Sequence, residues 1–154
     1  MRKDVQVSVL GIQDAGGGPE AVLTRTAGTC SSQDGGHRVG YRELDEHGNA
    51  THNILFLSRK EIRLDRSGSI SGSFQFIPGE RTEIRYRTPF GEIGFQAETE
   101  SCAMEEDESG LEARLRYRLY EGGRLFSENI LSIWIRADGS DGPGPDNTTR
   151  RNHI

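Results

Sequence analysis

Residues 111–120, LEARLRYRLY, alternate without a break: Leu111, Ala113, Leu115, Tyr117 and Leu119 against Glu112, Arg114, Arg116 and Arg118. A helix would scatter those apolar residues around its circumference, whereas an extended strand gathers them on one face. The stretch therefore reads as a strand that is dry on one side and wet on the other. The same period of two recurs along the chain. Val5, Val7 and Val9 alternate within residues 4–13; Val22, Thr24 and Thr26 within 20–32; Val39, Tyr41 and Glu43 within 37–45. Residues 54–57 (ILFL) are apolar on both faces, which suggests a strand covered on each side or a local bend. No stretch repeats with the helical period.

Turn chemistry joins these strands in sequence order. In RTEIRYRTPFGEIGFQAET (81–99), Thr88-Pro89-Phe90-Gly91 suits a type I turn and sets Arg87 opposite Glu92. Tyr86 then faces Ile93, Ile84 faces Phe95 and Thr82 faces Ala97, while Arg81 and Glu98 pair on the wet side. A one-residue slip would send every side chain to the wrong face. Gln33-Asp34-Gly35-Gly36 and Glu46-His47-Gly48-Asn49 are further turns. Arg66-Ser67-Gly68 is read as a three-residue loop pairing Leu64 with Ile70 and Ile62 with Gly72. Glu121-Gly122-Gly123 is read the same way, pairing Leu119 with Leu125, Ala113 with Leu131, Leu111 with Ile133 and Arg116 with Glu128. That register turns Asn129 inward, opposite Leu115, and Trp134 outward.

About ten strands in a meander would leave two raw edges unless the first and last pair. The expectation is an all-β, antiparallel meander closed into a barrel of about 8–10 strands over residues 1–136. Residues 137–154, rich in Gly, Pro and polar groups, are expected to be a disordered tail. Hydrophobic content of only 32% fits two-faced strands, which need an apolar residue at every second position. The net charge is −5, from 19 basic and 24 acidic residues with the signs interleaved, so no basic face is offered to nucleic acid. The row Arg114, Arg116 and Arg118 is read as one half of a solvated mixed-charge wall. The opening residues MRKDVQVSVLGIQ lack an uninterrupted apolar core, and nothing approaches the length of an apolar membrane helix. A cytoplasmic location with Cys30 and Cys102 reduced is expected.

Three stretches resemble a known family: DRSGSISGSFQFIPGERT (65–82), RYRTPFGEIGFQAET (85–99) and the hairpin LRYRLYEGG…FSENILSIWIR (115–136). Together they are similar to the YwiB-like family of bacterial proteins of unknown function. The likeness spans roughly residues 4–136, with Arg66-Ser67-Gly68, Pro89-Phe90-Gly91-Glu92 and Asn129 its most specific points. It implies a calycin-like (lipocalin-like) closed barrel in the bacterial cytoplasm. It brings no activity, ligand or catalytic residue.

Nothing in the residues supplies catalysis. A nucleophilic Ser or Cys would need a base and an orienting acid, and His37, His47, His52 and His153 fall in turns, strand starts or the tail. His47 and His52 span a glycine turn without a third ligand, and the acid run 105–108 belongs on an exposed turn, so neither a metal nor a cofactor is expected. The glycine clusters lack the helix and lysine of a phosphate loop. The remaining polar groups directed inward are Arg66 (at the mouth), Tyr86, Tyr117 and Asn129, the candidate ligand-binding residues. The expected function is a non-catalytic barrel for a small amphipathic ligand. The alternative is a protein-interaction module or homo-oligomer docking through an outer apolar face of Phe126, Ile130 and Trp134.

Overall fold

A computed structural model describes residues 2–137, which form ten strands. They are β1 (Lys3–Asp14), β2 (Pro19–Gln33), β3 (Gly36–Leu44), β4 (Ala50–Leu57), β5 (Ile62–Gly68), β6 (Ser71–Phe76), β7 (Arg81–Thr88), β8 (Gly91–Asp107), β9 (Gly110–Glu121) and β10 (Arg124–Ala137). Every neighbour in sequence pairs antiparallel, and β1 also pairs with β10 from Val5↔Ala137 to Asp14↔Glu128. The result is a closed barrel without a free edge, as the alternation demanded. The expected disordered tail lies outside the described residues.

One half of the interior is a conventional core. Val7, Val39, Leu55, Leu57, Ile62, Leu115 and Ile133 are each at most 1% exposed, on six different strands. Burying one such side chain stabilises the fold by about 1.5–3 kcal/mol. Strands can come this close partly because Gly28 on β2 has no side chain. A Cβ there would run into the Gly40 carbonyl oxygen and within 2.9 Å of Val7 Cγ2. Ile54 and Phe56 of the doubly apolar run face outward, half-buried, with the Arg63 guanidinium 5.0 Å from the Phe56 ring centre.

The β7–β8 hairpin has the expected register throughout, from Arg81↔Glu98 to Arg87↔Glu92. Two other hairpins do not. β5 and β6 pair Leu64 with Phe74, Ile62 with Phe76 and Arg66 with Gly72, so the turn falls at residues 69–70 and Arg66 lies within a strand. β9 and β10 pair Leu115 with Leu131, Leu111 with Ile135 and Tyr117 with Asn129, and Arg118, rather than Arg116, meets Glu128. Here Gly122 and Gly123, at φ 58° and 83°, make a two-residue turn between Glu121 and Arg124, and a bulge follows at Phe126. Both corrections shift the register by an even number of residues. Such a shift keeps each residue on its own face, so alternation cannot detect it.

Candidate functional site

The two ends of the barrel differ in chemistry. The turns joining β1–β2, β3–β4, β5–β6, β7–β8 and β9–β10 lie at one end, and the five exposed large hydrophobics among the described residues all belong to its rim. These are Val22, Leu44, Phe90, Leu125 and Phe126. Inside this rim the inward positions turn polar. Alternation along β3 carries Val39 into Tyr41 and Glu43, along β4 it carries Leu55 into Asn53 and Thr51, and along β5 it carries Leu64 into Arg66.

These side chains form one network. Arg66 Nε donates to Asn53 Oδ1 at 2.9 Å, and Arg66 Nη2 donates to Glu43 Oε1 at 2.7 Å. Asn53 Nδ2 donates to the same Glu43 oxygen at 2.8 Å. The guanidinium thus spends its side-on edge on protein and keeps Nη1 uncommitted among the described residues. Asn53 is 1% exposed, while the Arg66 and Glu43 side chains retain 22% and 29%. An ion pair this short on the inner wall is better shielded from salt than a surface pair.

Three tyrosines stand around it. Burial raises the Tyr41 phenol well above its ordinary range, Glu43 adding to the effect and Arg66 opposing it. Tyr86 is raised by burial and partly offset by Arg66. Burial, with the neighbouring Tyr86 adding, pushes Tyr117 up to about 12. None of these three hydroxyls hydrogen-bonds to another described residue. Their rings belong to an aromatic lining: Phe74–Tyr86 at 5.4 Å, Tyr86–Phe95 at 6.4 Å, Phe95–Phe126 at 5.0 Å and Phe76–Tyr117 at 4.6 Å between centres.

The four candidate residues fare differently. Arg66 and Tyr86 are brought together, and Tyr117 lies beside Tyr86. Asn129 faces inward but opposite Tyr117, not Leu115, and it donates to Ser127 Oγ at 3.0 Å. With Tyr117 it borders a hollow of about 340 Å³ that Ile12, Asp14 and Glu100 also line. Phe126 is not on the outer wall: its bulge turns it over the rim onto Phe95. Glu43, Asn53 and Tyr41 were absent from the candidate set. Their inward parity beside Val39 and Leu55 was the available signal.

Among the described residues no group of three or more His, Cys, Asp or Glu could hold a metal. Cys30 and Cys102 are free thiols, and burial raises both, Cys102 to about 11, so neither is an activated nucleophile.

A ten-stranded closed meander with this polar inner wall defines an uncharacterised β-barrel class, and the chain belongs to the family described as "Domain of unknown function (DUF1934)", matched over residues 7–133. It is 24% identical over 135 residues to the "Uncharacterized beta-barrel protein YwiB" of Bacillus subtilis (strain 168), covering 88% of this chain and 93% of that protein. The crystal structure of YwiB from Bacillus subtilis superposes with a TM-score of 0.78 at 21% identity, over 88% of this chain and 92% of that one. At that identity the likeness speaks for the fold.

Proposed function

We propose that the protein is a cytoplasmic, non-catalytic binding barrel that takes a small amphipathic molecule at its hydrophobic-rimmed end. The observation that supports this reading is the Arg66–Glu43–Asn53 network, with uncommitted donors on Arg66 and three tyrosines, set inside a ring of exposed apolar side chains. A purely structural barrel could fill the position of Arg66 with an aliphatic residue, because a partly buried ion pair gains little over a packed hydrocarbon. The ligand's polar end would meet Arg66 Nη1 and the phenols of Tyr41, Tyr86 and Tyr117; its apolar end would lie against Phe95, Phe126 and Val22. Titration with the anionic amphiphile 1-anilinonaphthalene-8-sulfonate tests it. We expect one saturable site per chain, weakened about tenfold in Arg66→Met, as the loss of one charge-assisted hydrogen bond of about 1.5 kcal/mol requires. Unsaturable binding, together with denatured extracts of the purified protein free of any small molecule, would sink the proposal.

A second reading has its own observation. On the outer wall Ile12 pairs with Ile130 and with Ala21, Leu10 with Leu23, and Trp134 flanks Ser8. The stripe would serve self-association. Light scattering on the wild type and Trp134→Ala separates the two, since a monomer unaffected by the substitution removes this reading only.

A further inference from the structure

Each strand of the ring has a neighbour on both sides, but the seam between β2 and β3 is only partly laced. Their ladder runs from Gln33↔Gly36 to Gly28↔Tyr41 and stops, although β2 reaches back to Pro19 and β3 runs on to Leu44. Both strands are held from behind. β1 follows β2 as far as Asp14↔Pro19, and β4 follows β3 as far as Leu44↔Ala50. At Gly28 the two backbones lie too close for a side chain, and beyond it they part. The next rungs in register would be Ala27↔Arg42 and Thr26↔Glu43, and neither forms.

The gap is a cavity of about 600 Å³, and its lining takes side chains from both faces of the wall. Thr24 and Thr26 share the inward parity of Val9 and Val7, their partners on β1, and Glu43 faces in toward Arg66. Leu23, Ala27 and Leu44 have the outward parity. A hollow bordered from both faces runs through the wall. Its inner lip is the polar network itself, because Glu43 Oε1 accepts from both Arg66 and Asn53. Its outer lip is apolar, with Leu44 60% exposed. Across the same end, Phe126 lies over Phe95 and Phe95 over Tyr86, so aromatic rings cover the side formed by β7, β8 and β10.

We propose that this gap is the entrance to the polar wall: a small amphipathic molecule passes sideways between β2 and β3. Its apolar part slides over Leu23 and Leu44 while its polar end reaches Glu43 and Arg66. The entrance rests on the reading of the rimmed end as a binding site. Entry by this route leaves the aromatic cover in place. The unlaced seam carries no large penalty, because a hollow of this size admits water to the backbone groups along it.

The test stitches the gap shut in the full chain. Ala27→Cys/Arg42→Cys places two exposed thiols at the next rung in register, to be joined by oxidation or, where no disulfide forms, by bis(maleimido)ethane. Neither residue belongs to the network, and the parent treated in the same way controls for Cys30 and Cys102. Stopped-flow mixing with 1-anilinonaphthalene-8-sulfonate, and its displacement, read the two rates. In the stitched protein both should slow by about tenfold or more while the dissociation constant stays within about threefold, since a gate alters rates and not the bound state. Reducing the disulfide should restore them. Rates unchanged by either stitch would overturn the entrance and leave the binding site standing. Loss of binding at equilibrium would also overturn it, by placing the molecule in the gap itself. A parent that binds no 1-anilinonaphthalene-8-sulfonate would remove the binding reading, and the entrance with it.

Discussion

Arg66 and Glu43 decide whether the polar wall is a structural or a recognition device. Each is held by the other and by Asn53, so removing one leaves its partner's hydrogen bonds unmade. Arg66→Met should lower stability by about 2 kcal/mol, because the half-buried carboxylate keeps only the Asn53 amide as a partner and loses its counter-charge. Adding Glu43→Gln should restore part of that loss, and urea melts of the two single variants and the double give the coupling. Additive losses would mean that the pair is not coupled. The tyrosines give a second residue-level measurement. A phenol whose folded pKa is raised stays protonated in the barrel after its unfolded counterpart ionises. Its contribution is therefore complete below pH 10, the ordinary tyrosine value, and falls as pH rises through the folded value, about 12 for Tyr117. Absorbance at 295 nm during alkaline titration should show Tyr41, Tyr86 and Tyr117 ionising late and together with unfolding. Early ionisation of all the tyrosines would contradict it.

The hairpins show what a sequence can and cannot say about pairing. Alternation settled which face each residue takes on β7, on β8 as far as Thr99, and on β9, including Tyr86 and Tyr117, because a one-residue error there would expose the core. Beyond Thr99 a bulge at Glu100 reverses the parity, and β8 runs on to Asp107 through most of the acid run expected on a turn. Alternation was blind to even shifts, which is why β5–β6 and β9–β10 were misregistered and why Arg66 was placed in a turn and not within a strand. Glu43 and Asn53 were legible as inward residues. They were not legible as partners, because contact between β3, β4 and β5 depends on two registers at once. Phe126 was misread for a local reason: a bulge breaks parity without any sequence mark beyond the preceding glycines. The pairs on either side of the bulge, Leu125↔Tyr120 and Ser127↔Leu119, would be consecutive if Phe126 were missing. Its deletion should therefore leave the register intact and cost about 1 kcal/mol, the contact with Phe95. Deleting Ile130 instead would flip the strand beyond it and abolish folding. Circular dichroism and urea melts distinguish the two variants.

At the scale of the whole molecule, the barrel is organised as a gradient from a dry aliphatic half to an aromatic and polar half, and function is proposed where the gradient ends in exposed apolar side chains. The ordering was visible in the strands singly. Its assembly into one rim was not, because the five rim residues come from turns and strand ends as much as 104 positions apart (126 − 22).

The seam between β1 and β10 is the last thing such a chain can make. Val5 must find Ala137, so ring closure waits until almost the entire barrel has been synthesised, and until then β1 offers an unpaired backbone to any passing strand. Because those two ends finish side by side, the chain can be cut elsewhere and rejoined there. A permutant that begins at Pro19 and links residue 154 to residue 1 moves the seam and does not remove it: β1–β10 becomes a local pairing and β1–β2 becomes the one that spans the whole chain. Because a closed ring always leaves one such pairing, the permutant should refold within a few-fold of the parent's rate in stopped-flow traces, and a change of about tenfold or more would show that which pair of strands closes the ring sets the rate.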